Sequence, residues 1–327
     1  MTVSANLITD VPGLLVGQAE DRDALTGVTV IYPETAAVCA VDVRGGGPGT
    51  RESDALAPEN LVEAIDALVL SGGSVYGLAA ADGVASALGA RGRGFGLIDL
   101  PGVPKSPVVP AAILYDLANG GNKGWGETPP YRALGMQALQ RLDHSFTLGA
   151  AGAGIGARAG QLRGGLGSAS HTTSEGWHVG AIVAVNCFGS VVMPGSDAFW
   201  AWSLEQGDEA GGVRPDPSVR VMGEDWGLAK ANPAAMGRAN TTIACVATDV
   251  ALTPSEAKRV AQMASAGLAR AIRPVFAPFD GDVVFAMSTA RQRLGEPKAF
   301  NLARIGALAA DCLARAVMRG VHAAKDA

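Results

Sequence analysis

The arrangement of apolar segments predicts a layered α+β fold. Short apolar strands bounded by turn residues come in groups, amphipathic helical stretches come in groups as well, and strict strand–helix alternation is absent. Glycine supplies 44 of 327 residues, about 13 % against a usual ~7 %, while aromatic residues stay at 5 %. A core of Ala, Val, Leu and Gly implies layers in close backbone contact.

Residues 14–43 hold three strand candidates, GLLVGQAED, TGVTVIYPE and AAVCAVDVRGGG, with RGGGPGTR (44–51) as a loop. Asn60 to Val69 has apolar spacing that fits a helix or a buried strand. SGGSVYG leads into the Ala-rich helix LAAADGVASALGARG, expected to close at Gly89. VVPAAILYDL reads as a strand, Gly120 to Pro130 as a polar loop, and Tyr131 to Leu142 as a helix.

From Leu148 to Ser170 the chain reads LGAAGAGIGARAGQLRGGLGSAS, and each internal Gly costs a helix up to about 1 kcal/mol relative to Ala. Loop and close-packed strand are expected there. VGAIVAVNCFG is a buried strand, and Ser196 to Pro233 an irregular insertion bearing Trp residues. GRANTTIACVATDVAL gives a turn, a buried strand and a cap. Thr253 and Glu256 form a capping box for the helix Pro254 to Arg270. IRPVFAPFDGDVVFAMST supplies a turn and another strand, and Asn301 to Ala323 a long amphipathic helix.

Several function classes are disfavoured. Net charge is −5 and the basic residues are scattered, which is no footprint for nucleic acid. No apolar run reaches the ~20 residues that span a bilayer, and the first residues lack a signal-peptide pattern, so a cytoplasmic protein without membrane attachment is expected. Cys39, Cys187, Cys245 and Cys312 stand apart in apolar surroundings and read as buried small hydrophobes. GAGIGA places Gly152, Gly154 and Ala157 at dinucleotide-loop spacing with Glu175 downstream, but ARAGQLRGGLGS is a poor crossover helix. His144, His171, His178 and His322 have no metal-ligand spacing, and no G-x-S-x-G elbow is present. No cofactor is expected.

What remains is Asn240-Thr241-Thr242, where a loop enters the strand IACVATD. A hydroxyl residue there gains a second group if the preceding peptide bond is cut. The freed α-amine, with an ordinary pKa near 7.7–8, is partly neutral at physiological pH and serves the hydroxyl as its own base. On local sequence alone, an Asn-led turn feeding a β-branched strand explains the same residues.

A wider pattern resembles one family. GGSVYGLAAADGV, VVPAAILYDL, GAGIGA to RGGLGSAS, VGAIVAVNCFG, NTTIACVATD, GLARAIRP and FDGDVVFAMST occur in the order found in the DmpA-type self-processing hydrolases, over most of the chain except Ser196 to Pro233. The resemblance implies an αββα sandwich similar to the amino-terminal-nucleophile hydrolases. It also implies cleavage between Asn240 and Thr241 into an α fragment, 1–240, and a β fragment, 241–327, of a single domain, with αβ units assembled into a tetramer. It assigns Thr241 as nucleophile, Asn186 to the oxyanion, and Asp280 and Asp282 as the acidic pair that orients and charges the nucleophile's surroundings. Arg163 falls where the family's lysine is expected, which puts a proton-relay role there in doubt, because a guanidinium does not lend a proton as an ammonium does. Threonine at the cut and the downstream DGD look most like the nylon-oligomer endohydrolase branch. A β-peptidyl or L-aminopeptidase/D-esterase is the alternative, and would need an acidic residue such as Glu127 or Glu175 to hold a substrate's amine. The reading outside the family is a noncatalytic Gly-rich scaffold or binding protein. The expected substrate is a small amide, a short peptide or an oligomer.

Overall fold

The computed structural model describes residues 4–98, 100–230 and 240–325. In chain order the elements are β1 (Leu14–Asp21), β2 (Thr26–Pro33), β3 (Ala37–Val43), β4 (Thr50–Arg51), β5 (Ala64–Ile65), β6 (Leu68–Ser71), α1 (Ala79–Ala90), β7 (Ala111–Ile113), α2 (Tyr131–Gln140), β8 (Arg158–Ala159), β9 (Leu162–Arg163), β10 (Gly165–Thr172), β11 (His178–Asn186), β12 (Thr241–Val250), α3 (Pro254–Ala271), β13 (Val283–Gln292) and α4 (Lys298–Ala323). One sheet has the order β1-β2-β6-β7-β4 and the other β10-β11-β12-β13-β3-β5, while β8 and β9 form a separate hairpin.

Three apolar layers result, as an αββα sandwich requires. Leu14, Ile31, Leu68, Ile243 and Phe285 meet between the sheets. Val28, Val69, Val84 and Leu139 pack α1 and α2 on the first sheet. Val183, Val246, Leu268 and Leu313 pack α3 and α4 on the second. Strand β12 explains its own sequence: Ile243, Cys245 and Ala247 face the middle layer, Ala244 and Val246 the outer one. Side chains alternate along a strand, so burial on both faces demands an unbroken apolar run.

The glycine excess has a packing cause. A Cβ on Gly167 of β10 would lie 1.8 Å from the Ala316 carbonyl oxygen, so α4 rests directly on that strand's backbone. The capping box at α3 forms as expected, with Thr253 N donating to Glu256 Oε2 at 2.8 Å and Glu256 N to Thr253 Oγ1 at 3.3 Å.

Of the two readings open for segment 60–69, strand is the one that forms, in β5 and β6, because both pair with sheet neighbours. Three boundaries differ from the sequence expectation. Helix α1 runs through Gly89 to Ala90, and the left-handed residue after it is Gly92, with φ +72°. Only Ala111–Ile113 of VVPAAILYDL pairs as strand, and α4 starts earlier, at Lys298 behind Pro297. The insertion from Ser196 is irregular as far as it is described, with one short 3-10 turn at Trp202–Leu204, and its last residues, through Pro233, lie outside the described residues.

GAGIGA forms a 3-10 turn at Gly152–Gly154 against β2 rather than a phosphate loop. The Gly152 N–H donates to Glu20 Oε1 at 2.6 Å and the Ala153 N–H to Thr29 Oγ1 at 3.0 Å. All four cysteines are buried and unbridged.

Candidate active site

Strand direction builds the site. Strands β12 and β13 are parallel, with Ile243 opposite Val283, so the residues preceding both strands meet at one sheet edge. Strand β11 runs antiparallel to β12 and ends there, placing Asn186 opposite Thr241. Strand β3 runs antiparallel to β13 with Val43 opposite Val283, so the loop RGGGPG leaves the sheet at the same edge. Four segments far apart in sequence thus converge.

Thr241 is buried at the head of β12, and its Oγ1 donates a hydrogen bond to the Asn240 carbonyl oxygen, the carbonyl of the peptide bond before it. The Thr242 N–H donates to Asp282 Oδ1 at 2.7 Å, and the Phe276 N–H to Asp282 Oδ2 at 3.1 Å. Asp280 Oδ2 accepts from Ala277 N at 3.4 Å. The two carboxylates sit in the loop before β13, both buried, rather than on the strand or in a solvated turn.

The loop 44–49 packs on DGD. Arg44 and Gly45 N–H groups donate to the Asp282 carbonyl at 3.0 and 3.2 Å, and Gly47 N–H to the Asp280 carbonyl at 2.8 Å. Its glycines therefore serve close backbone packing, an explanation that its sequence, lacking the residues of a phosphate loop, did not reveal.

Burial pushes both carboxyls above the ordinary carboxylate range. For Asp280 the nearby Asp282 adds to the rise, and Lys230 and the Ala277 N–H oppose it. For Asp282 the Thr242 and Phe276 N–H groups offset part of the burial cost. Lys230 is shifted the other way, down to about 8, because burial penalises its ammonium more than Cys187 and Asp280 support it. Its Nζ donates to Asn240 Oδ1 at 2.8 Å.

Asn186 is fully buried and its amide orientation is set by its partners. Oδ1 accepts from the Arg158 N–H at 2.8 Å and Asn119 Nδ2 at 3.3 Å, while Nδ2, which carries two protons, donates to the Tyr115 carbonyl at 3.0 Å. Beside Asn240 and Thr241 opens a cavity of about 630 Å³, walled by Gly47, Pro48, Ser74, Ile113, Tyr115 and Phe279. Its lining contains no Asp, Glu, Lys or Arg among the described residues. Ser74 holds φ +52°, a left-handed conformation unusual for a residue with a side chain, in a loop anchored by Gly73 N–H to Asp116 Oδ1 at 2.8 Å.

Thr241, Asn240, Asn186, Asp280 and Asp282 are brought together at one end of the second sheet. Arg163 is not among them. It is exposed on β9 and lines a separate small recess with Asn119 and Arg158, the two residues that hydrogen-bond Asn186 Oδ1. The cation that does reach the site, Lys230, carried no motif; its only signal was a lone lysine in an apolar stretch shortly before the candidate cut. Tyr115 and Ser74 lie within the family-like blocks VVPAAILYDL and GGSVYGLAAADGV, where no feature of their neighbours marks them as cavity residues. Glu127 is exposed in its loop and Glu175 pairs with Arg304 at 2.8 Å, and neither lines the cavity.

The model of peptidase family S58 matches residues 6–327. The chain belongs to peptidase family S58. It is 42 % identical over 333 residues to an uncharacterized aminopeptidase of Mycobacterium tuberculosis, covering 97 % of this chain and 93 % of that one. It is 31 % identical over 287 residues to a 6-aminohexanoate-oligomer endohydrolase of Kocuria sp., covering 86 % and 74 %. Among solved structures, a Burkholderia sp. β-aminopeptidase superposes with a TM-score of 0.67 at 23 % identity, over 97 % of this chain and 86 % of that one. The L-aminopeptidase D-Ala-esterase/amidase of Ochrobactrum anthropi, described as a variant of the Ntn hydrolase fold, gives 0.69 at 21 %, over 99 % and 88 %. The fold is that of this S58 group, and the family and its relatives make the chain a hydrolase of amide or peptide bonds. No helix among the described residues is long and apolar enough to cross a membrane.

Proposed function

We propose that this S58 hydrolase cuts its own Asn240–Thr241 bond and then uses Thr241 as an amino-terminal nucleophile on small amides. The observation that carries this reading is the Thr241 hydroxyl hydrogen-bonded to the Asn240 carbonyl at a buried strand head, beside two buried carboxyls. In processing, Thr241 Oγ1 gives up its proton and attacks the Asn240 carbonyl carbon. The C–N bond breaks, the nitrogen takes a proton to become the Thr241 α-amine, and water hydrolyses the resulting ester to leave a carboxylate on Asn240.

In turnover the α-amine is the base. Thr241 Oγ1 attacks the substrate carbonyl, the departing amine receives the proton, and water releases the acyl group from the Oγ1 ester. Asn186 Nδ2 is the amide donor for the developing oxyanion. Asp282 holds the strand head through the Thr242 N–H, and Asp280, with its raised proton affinity, is suited to exchange a proton near neutral pH.

The two fragments stay interlocked, because strands β12 and β13 of the β fragment lie between β11 and β3 of the α fragment. For substrate, a lining that is uncharged among the described residues favours an internal amide of an aliphatic ω-amino acid, as in 6-aminohexanoate oligomers, each buried CH₂ contributing about 0.8 kcal/mol. The names of the mycobacterial relatives favour an aminopeptidase as the second reading.

Intact mass spectrometry decides the first step. Purified protein should contain two chains split at Asn240–Thr241, and Thr241→Ala one. A full-length wild-type protein that nevertheless hydrolyses amides removes this mechanism.

A further inference from the structure

We propose that Lys230 is the positioning residue for self-cleavage: its Nζ grips the Asn240 side chain and so fixes the acyl half of the scissile bond against the Thr241 hydroxyl. The inference rests on the self-processing reading and adds to it a residue that no sequence motif marks.

The contact is short and enclosed, Nζ to Asn240 Oδ1 at 2.8 Å, with Asn240 itself buried. The backbone delivers Lys230 to this place. Its N–H donates to the Phe188 carbonyl at 3.0 Å, two residues past Asn186. The two preceding residues are tied to Gln161: Gln161 N donates to the Leu228 carbonyl at 2.8 Å and Gln161 Nε2 to the Ala229 carbonyl at 3.2 Å. Phe188 stacks edge-on against Phe279, 4.8 Å between ring centres, so the same wedge touches the loop carrying Asp280.

A lysine drawn into such a place loses hydration, and a buried ammonium is retained only where partners repay that loss. Here they include the Asn240 amide oxygen and the charge of Asp280, which Lys230 in turn makes easier to ionise. One ammonium therefore touches the residue whose carbonyl is attacked and supports the acidic pair beside the nucleophile. Arg163 makes neither contact, being exposed on β9. A cation expected at Arg163 is thus provided from another part of the chain.

The test follows the time course of chain splitting by intact mass in Lys230→Met, Lys230→Arg, Asn240→Ala and the double variant Lys230→Met/Asn240→Ala, with thermal unfolding as the folding control. Loss of one charged hydrogen bond at the scissile residue should slow splitting in Lys230→Met roughly 10- to 100-fold, with Lys230→Arg partly restored. The double variant should be no slower than the worse single one, since both remove the same contact. If Lys230→Met fails to fold, Lys230→Ala supplemented with methylammonium takes its place, and concentration-dependent recovery of splitting supports the role. Splitting at the wild-type rate in Lys230→Met, fully additive losses in the double variant, or no recovery by either Arg or methylammonium overturns it. A wild-type chain that never splits overturns the self-processing reading itself, whereas a splitting wild type with an equally fast Lys230→Met overturns the lysine's role alone.

Discussion

Gly281 lies against Thr241 so closely that a Cβ on it would come within 2.7 Å of the Thr241 hydroxyl oxygen and 2.8 Å of the Gly47 carbonyl oxygen. The middle residue of DGD is thus part of the seat of the Thr241 side chain. A methyl group there meets backbone on one side, so it can be relieved only by displacing the Thr241 hydroxyl on the other. Gly281→Ala should leave the protein folded, at a cost of about 1–3 kcal/mol for overpacking, and slow splitting at least tenfold by turning the hydroxyl from the Asn240 carbonyl. Mass spectrometry of the freshly purified variant measures this, and rapid splitting would show that the hydroxyl tolerates displacement.

Asp280 links activity to stability in opposite directions. Its folded-state proton affinity lies above the unfolded value, through burial first and Asp282 second. The folded state therefore binds the proton more tightly, so the stability it contributes is complete below the ordinary carboxylate range near pH 4 and is lost as pH rises through the raised folded value. Asp280→Asn removes that loss. Thermal unfolding of the variant should depend less on pH between about 4 and 8 than wild type, with a higher midpoint at the upper end, while splitting and turnover fall. An unchanged pH profile would mean that the carboxyl titrates normally.

Arg163 is expected to be dispensable. Exposed on β9 and outside the cavity, it should tolerate Arg163→Lys and Arg163→Ala within about 0.5 kcal/mol of wild-type stability. Turnover should stay within a few-fold, on the order of twofold for a change of that size. A larger gain in Arg163→Lys would restore it as a position where lysine serves catalysis.

Substrate choice separates the two hydrolase readings. With no carboxylate in the cavity lining among the described residues, a free amine on the substrate finds no ionic partner there. The processed enzyme should therefore hydrolyse a 6-aminohexanoate oligomer and its amino-blocked form alike. It should be slower on β-alanyl and L-alanyl amides. Turnover confined to substrates with a free amino terminus would transfer the assignment to the aminopeptidases.

Much of this protein was legible residue by residue, because the signals were local. The run IACVATD implied a strand buried on both faces and Thr253 with Glu256 marked the start of α3, whereas Asn240-Thr241 and DGD gained a chemical meaning only from the family-like blocks around them. Each depends on neighbours within a few positions, where periodicity and capping operate. The placement of the cation was decided elsewhere. Lys230 meets Asn240 only because its own N–H is tied to Phe188 and the two residues before it to Gln161, and Gly45 and Gly47 acquire their purpose only when the antiparallel pairing of β3 with β13 lays them on DGD. Register and strand direction are sums over many weak long-range contacts, so a single lysine or a glycine triplet carries no trace of them in its own surroundings. The residue types Thr241, Asp280 and Asp282 were set by sequence, and the burial that raises the proton affinity of the two carboxyls, together with the company they keep, by the packing of the sheets and helices.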